Sequence, residues 1–429
     1  MLRRQFIGWA PPVLTGVLLG KTPSVAAAAP GHPKPRVALG IDVLELNRFA
    51  QTQGRSVGLL THAAGQNSRG RKTVDILRRA PGVRLVKLFG PEHGIHGDLP
   101  ANAPVQDTLD RRTGLSVHSL YGKTRRPTPE MLRGLDTLVI DLQDIGARTY
   151  TYVTCMKYAI EACFEAGVRV VVLDRPNPLG GLKVDGPGLD EKWLSYVGAF
   201  RVPYVHGLTI GELALAAVRT PGWLKLSPAA ARNGRLEVVK MRGWRRAMRW
   251  HDTGLLWRPT SPGIPNVEAA EGYPLTGLGC QAGDFSHGSK QAGKHAYFFR
   301  FIHYPKKKAL ELERTLRARN IPGLGVSPWR LRDGTEGVYL TITNWHALRP
   351  TETSFQMMQI SCQWAAKNPF AALPKGERET AIKHIGDQAF FDELCRKGAA
   401  INIAAWVNRW RREALAFQQW SRKHWLYEA

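Results

Sequence analysis

At 429 residues the chain is long enough for two domains with cores of their own, and 43% hydrophobic against 22% charged residues is the balance of an ordinary folded protein. A net charge of +25 admits an anionic partner, whether nucleic acid, membrane surface or wall polymer. No recognisable nucleic-acid module is present, and no later run approaches the ~20 apolar residues of a membrane span. The cysteines, Cys155, Cys163, Cys280, Cys362 and Cys395, include no C-x-x-C pair, which argues against a zinc site or a dense disulfide framework. Cys155 and Cys163 fall on one expected helix, ~12 Å apart along its axis and too far to bridge. Most read as small buried hydrophobes.

Met1-Leu2-Arg3-Arg4-Gln5-Phe6-Ile7 is a twin-arginine start. A moderately apolar stretch, Phe6 to Gly20, and a small-residue cleavage pattern at Ser24-Val25-Ala26 follow it. Residues 1–26 are therefore expected to be a signal peptide and 27–36 an Ala/Pro/Gly/His linker. Export in the folded state to the periplasm follows, which weighs against a nucleic-acid partner. Removing residues 1–26 takes away Arg3, Arg4 and Lys21 and leaves +22.

The mature chain then alternates period. Val57–Leu60 reads as a strand, Thr73–Ala80 as a helix and Val83–Phe89 as a strand. Thr137–Ile140 is another strand, followed by a helix over about 150–166 and a strand over Arg169–Leu173. Strands alternating with helices at this spacing predict βαβ units and a parallel, Rossmann-like sheet. Four strand ends carry polar clusters: Thr61/His62, Glu92/His93, Asp141/Gln143/Asp144 and Asp174/Arg175/Asn177. Parallel neighbours would gather all four at one sheet edge, where ligands of open α/β sheets bind. No G-x-G-x-x-G opens a helix, so no dinucleotide cofactor is expected.

Tyr204–Leu208 leads into Thr209-Ile210-Gly211-Glu212, a capping box, with His206 just before it. The Trp/Pro/Gly-rich stretch 241–273 looks like a crossover between domains. Beyond it, Lys306–Arg319 and Glu352–Ala366 read as helices and Gly337–Thr343 as an alternating strand. The terminal helix spaces Ile403, Val407, Trp410, Ala414 and Phe417 as a core stripe.

The sharpest stretch is Phe89-Gly90-Pro91-Glu92-His93-Gly94-Ile95-His96-Gly97-Asp98. A Gly/Pro frame holds a carboxylate close to any ligand beyond the strand; a plain solvated turn is the bland alternative. His93-x-x-His96 with Asp98 lacks the three or four fixed donors of a zinc site, and no metal is expected. A G-x-S-x-G elbow is absent and no Cys has a plausible His partner. Carboxylate chemistry remains, Glu92 with Asp141, Asp144 and Asp174 near it, the equipment of glycoside hydrolysis. Acid–base work on phosphate or amide substrates would use similar groups.

The runs GIDVL (40–44), VGLLT (57–61), LFGPEHGIHGD (88–98), LYGKTRRPTPEML (120–132), DLQDIGARTYTY (141–152), LDRPNPLGG (173–181) and HGLTIGELA (206–214) together resemble the NamZ-type exo-β-N-acetylmuramidases, peptidoglycan-recycling glycosidases. The resemblance implies an α/β fold: a Rossmann-like parallel-sheet domain, 37–255, and a smaller α+β domain, 256–429, with the active site in the cleft between. It implies an exo-acting hydrolase releasing N-acetylmuramic acid from peptidoglycan-derived saccharides, without a cofactor. The family's P-E-H-G glutamate falls on Glu92, the expected general acid/base, with His93 orienting it. His62, Asp141, Gln143, Asp144, Arg148, Arg175, Asn177, His206, Tyr273 and His287 are then expected around the sugar, with Arg148 or Arg175 on the lactyl carboxylate.

The chain departs from the family at three places. His62 stands where an Asn is usual, and Gly263 replaces the Asn of an S-P-N motif. After Tyr273-Pro274 the usual E-G-T-N-x-S-E-G-R-G-T gives way to Cys280-Gln281-Ala282-Gly283-Asp284-Phe285-Ser286-His287-Gly288-Ser289-Lys290, with Asp284 or His287 as possible stand-ins for the lost acids. A catalytically weak muropeptide-binding protein is therefore the rival expectation, and a different hydrolase reusing the Glu92 cleft a third.

Overall fold

The strands expected at the centre form because their apolar runs can be buried on both faces. A computed structural model describes residues 36–100, 103–281, 283–287 and 297–429. The expected signal peptide and all of the linker but Arg36 lie outside these residues, as do positions 288–296 and the side chain of His287. In chain order the strands are β1 Arg55–Thr61, β2 Val83–Gly90, β3 Thr108–Asp110, β4 Leu115–Ser119, β5 Thr137–Asp141, β6 Arg169–Leu173, β7 Leu236–Val239, β8 Ser286–His287, β9 Phe301–His303, β10 Leu324–Arg330 and β11 Glu336–Ile342. Seven make one sheet in the order β3-β4-β2-β1-β5-β6-β7, parallel except for β3, and four make an antiparallel sheet, β10-β11-β9-β8.

Side chains alternate across a strand, and the sheet divides them between two cores. Leu60, Leu138, Ile140, Val170 and Val172 join one apolar cluster, while Leu59, Val139, Val171 and Leu173 join another. This double burial is why the parallel strands read as continuous apolar runs. The first cluster continues into the second half of the chain, through Phe355, Phe390 and Trp410.

Among the parallel strands the order reverses between β1 and β5, so the crevice beyond their carboxyl ends is the topological switch point. Thr61/His62, Glu92/His93, Asp141/Gln143/Asp144 and Asp174/Arg175 all emerge at that edge, as the alternation predicts. The expected helices occur at Thr73–Arg79, Tyr152–Glu165, Ile210–Arg219, Ala309–Arg317 and Pro350–Trp364, with ends within three residues of expectation. Thr209 caps its helix by accepting from Glu212 N–H while Glu212 reaches back to Thr209 N–H. Cys155 and Cys163 are buried, Cys280, Cys362 and Cys395 are half-buried, and all five are free thiols.

On the terminal helix Ile403–Ser421, Ile403, Val407, Trp410 and Ala414 are buried. Trp410 packs 4.4 Å from Phe355 and 5.1 Å from Phe390 between ring centroids, and its indole N–H donates to Asp387 at 2.9 Å. Trp410→Ala is expected to lower the unfolding free energy by ~3–5 kcal/mol in urea denaturation. A loss below ~1 kcal/mol would mean that this helix is not part of the main core.

Candidate active site

Glu92 is placed by a turn that only a narrow set of backbones can make. After β2 the chain turns at Pro91, whose carbonyl accepts from Gly94 N–H at 3.0 Å. His93 and Gly94 are both left-handed, φ 71° and 73°. Glycine takes that conformation freely, whereas at His93 it costs of order 1–3 kcal/mol and has to be held by surrounding contacts. His93 is held by Nδ1, 2.7 Å from the Leu99 carbonyl. Glu92 itself is buried, 6% exposed. Its Oε2 accepts the Thr151 hydroxyl at 2.7 Å, and its carboxylate is hydrogen-bonded to the Tyr121 phenol.

Glu92, His93 and Tyr273 line a common cavity of about 460 Å³, within the ~300–1,000 Å³ usual for small-molecule sites. Asp98, Tyr121 and Thr149 to Thr151 line it as well. So do Ser261 to Ile264, Phe298, Phe299 and His384 from the second half of the chain. Tyr273 hydroxyl lies 3.1 Å from Thr149 Oγ1, and burial pushes its phenol up to about 12. Burial likewise raises Tyr121, so both phenols keep their protons, that of Tyr121 donated to the Glu92 carboxylate.

The other expected site residues whose side chains are described do not line this cavity. They form a polar frame beneath the sheet edge. Asp141 accepts two hydrogen bonds from Arg175, at 2.6 and 2.9 Å, and one from the Thr73 hydroxyl at 2.5 Å. His62 Nε2 accepts from Gln143 N–H at 3.0 Å, and its ring meets Tyr152 edge-on at 4.9 Å. Burial, then the charge of Arg175, pull His62 down to about 3, so it is neutral. Gln143 donates to the Asp144 and Pro176 carbonyls, each at 2.8 Å. Asp144 accepts Gly146 N–H at 2.8 Å and lies 3.5 Å from His206. Asn177 donates to the Leu208 carbonyl and accepts from Leu179 N–H, both at 3.0 Å.

Two expectations about charge need correction. Arg148 spends its guanidinium on the carbonyls of Pro187, Val202, His384 and Ile385, and Arg175 spends its own on Asp141 and the Gln66 carbonyl. Neither is available to a lactyl carboxylate in the Glu92 cavity. Asp141, Asp144 and Asp174, expected near Glu92, are likewise bonded away from it; of the described carboxylates that line the cavity, Asp98 is exposed and Glu92 buried. Gln143 and Arg175 instead border a separate cavity of about 190 Å³ with Arg69, Trp250 and Arg258. His96 lies 4.0 Å from Asp110 while His93 bonds to Leu99, so the two imidazoles serve different partners. No group of three or more His, Cys, Asp or Glu able to hold a metal ion occurs among the described residues.

Tyr121, Thr149, Tyr150 and Thr151 were missed by strand-end reasoning, although they sit inside the runs LYGKTRRPTPEML and DLQDIGARTYTY. Those runs were the available signal.

Comparison with known proteins identifies the family. The described family "Exo-beta-N-acetylmuramidase NamZ" matches with its N-terminal part over residues 57–268 and its C-terminal part over 273–427. The chain belongs to the NamZ family. It is 41% identical over 316 residues to the peptidoglycan β-N-acetylmuramidase NamZ of Bacillus subtilis, covering 72% of this chain and 73% of that one. A crystal structure of a DUF1343-family protein from Bacteroides fragilis superposes with a TM-score of 0.81 at 34% identity, covering 92% of this chain and all of the other. A second such protein from the same organism, 23% identical with a TM-score of 0.69 over 91% of this chain and 99% of its own, shares the fold. The chain is thus a glycoside hydrolase of two-domain α/β architecture.

The frame makes one pH-dependent statement. Asp174 is fully buried, and burial pushes its carboxyl from an ordinary 3.8 to about 7, against hydrogen bonds from Tyr427, Gly211 N–H and Thr209. The unfolded chain loses this proton near pH 4, while the folded one keeps it until about 7. Between those values the folded state binds more protons, so this group's contribution to stability falls as pH rises. Asp174→Asn should flatten the decline of unfolding free energy between about pH 4 and 7; an unchanged slope would show that Asp174 is ionised when folded.

Proposed function

We propose that this chain is an exo-acting β-N-acetylmuramidase that removes terminal N-acetylmuramic acid from peptidoglycan fragments, with Glu92 as general acid/base. The observation that carries the reading is one buried carboxylate, held by Thr151 and Tyr121, facing a sugar-sized cavity at the switch point of a NamZ-family fold. Glu92 protonates the glycosidic oxygen as its bond to C1 breaks, and accepts a proton from the water that completes hydrolysis. His93 positions Glu92 through the strained turn they share, and Tyr121 and Tyr273 line the cavity that receives the sugar. His62, Asp141, Gln143, Asp144, Arg148, Arg175, Asn177 and His206 support the site by holding the strand ends. The same reading divides the mature chain into a catalytic domain, 37–255, and a C-terminal domain, 256–429, that completes the cleft.

With a chromogenic β-N-acetylmuramide, Glu92→Gln should lose ~10²–10⁴-fold in kcat while still binding the sugar. An active Glu92→Gln enzyme would remove Glu92 from the chemistry, and an inactive wild type that binds the sugar saturably would make the protein a receptor.

We also propose periplasmic residence, supported by Arg3-Arg4 and the apolar stretch after them. Replacing both arginines by Lys should leave the uncleaved precursor in the cytoplasmic fraction. Undiminished export of that variant would refute a twin-arginine route.

A further inference from the structure

Of the runs that mark this family, Leu120 to Leu132 has so far contributed only Tyr121. It follows β4, which pairs in parallel with β2 through Leu88↔Val117, Phe89↔His118 and Gly90↔Ser119. This run and the Glu92 turn therefore leave adjacent strands at the same edge. Leu120 N–H donates to the Gly90 carbonyl at 2.8 Å, two residues before Glu92, and Val105 N–H donates to the Tyr121 carbonyl at 2.9 Å. Thr124 closes the turn, its hydroxyl donating to the Arg126 carbonyl at 2.6 Å and accepting Arg126 N–H at 3.1 Å.

Two arginines leave that turn with different fates. Arg126 is ion-paired with the buried Glu161. Arg125 is exposed and enters no ion pair with the described residues; its guanidinium carbon stands 3.7 Å from the centroid of the Tyr121 ring and 4.4 Å from that of Tyr196. Two aromatic faces hold the planar fork, and its N–H edges remain suited to a carboxylate. Tyr121 is hydrogen-bonded to both Arg125 and Glu92, so it links this cation to the buried acid. Arg148 and Arg175, the other candidates, are spent on carbonyls and Asp141.

We infer that Arg125 binds the lactyl carboxylate of the terminal N-acetylmuramic acid and thereby sets the preference for that sugar over N-acetylglucosamine, which carries a hydroxyl at the same carbon. The inference rests on the glycosidase reading above. Arg125 is a specificity-determining contact: it touches a part of the substrate that does not react, through a charge-assisted bidentate pair.

The test compares wild type, Arg125→Gln and Arg125→Lys on three substrates: an aryl β-N-acetylmuramide, the same compound with its lactyl carboxyl amidated, and the aryl β-N-acetylglucosaminide. Where the last is too slow to follow, its inhibition constant is read instead. Arg125→Gln should raise KM for the free acid by ~10–100-fold with kcat nearly unchanged, and leave the amide and glucosaminide as they were. Arg125→Lys should recover part of the loss. Unchanged muramide kinetics, or an equal loss on all three substrates as expected of a merely structural residue, would overturn the assignment. If the wild type turns over none of them, the glycosidase reading falls. Calorimetry with free N-acetylmuramic acid then decides the contact: binding weakened by Arg125→Gln upholds it, and equal binding rejects it.

Discussion

The buried carboxylate of Asp141 is the constraint on which the sheet edge depends. At the end of β5, fully enclosed, it accepts two hydrogen bonds from Arg175 at the end of β6 and a third from Thr73 on the helix after β1. Arg175 in turn donates to the Gln66 carbonyl in the loop that β1 feeds, at 2.8 Å. Three chain segments are thereby tied together where the crossovers diverge. A buried pair of this kind adds little net stability over an apolar equivalent, yet losing one partner strands a charge at a cost of ~3–5 kcal/mol. Its consequence here is geometric. With strand ends fixed, the turn after β2 can hold His93 in a strained conformation and keep Glu92 buried beside the cavity.

The parts of the fold legible in the sequence were those with a single physical cause. β1, β5 and β6 are short apolar runs broken by Gly, Pro or polar clusters, because both faces are covered, whereas β2 is buried only over its last three residues. β3, β4 and β7 lie toward the margins of the sheet and carry mixed sequences such as Leu-Ser-Val-His-Ser, which no periodicity singles out. The segment after β4 is the one that brings Tyr121 to Glu92 and sets Arg125 against the Tyr121 ring. Strand-end reasoning finds which residues reach the edge, but not whether they face the ligand or the frame. That choice depends on partners remote in sequence: Arg148 bonds to carbonyls as far away as Ile385, and Asp174 to Tyr427 at the other end of the chain.

The departures from the family pattern are partly absorbed by the second domain. Ser286 and His287 form β8 at the margin of the smaller sheet, pairing with His303 and Ile302 of β9. Phe285 is buried against Tyr304, whose hydroxyl donates to Asp284 at 3.0 Å, so Asp284 is anchored to its own domain. Gly263, in place of the usual Asn, lines the cavity, and a side chain there would begin in open space. Gly263 thus leaves one wall of the cavity open, while Glu92 is bonded to both Tyr121 and Thr151.

The most direct test of the central claim is a crystal structure of the Glu92→Gln variant with a muramic acid–glucosamine disaccharide. The account predicts muramic acid inside the cavity lined by Tyr121, Thr151 and Tyr273, with the glycosidic oxygen within hydrogen-bond distance of the side chain at position 92. A disaccharide seated elsewhere, such as the smaller cavity bordered by Arg69 and Arg258, would contradict it.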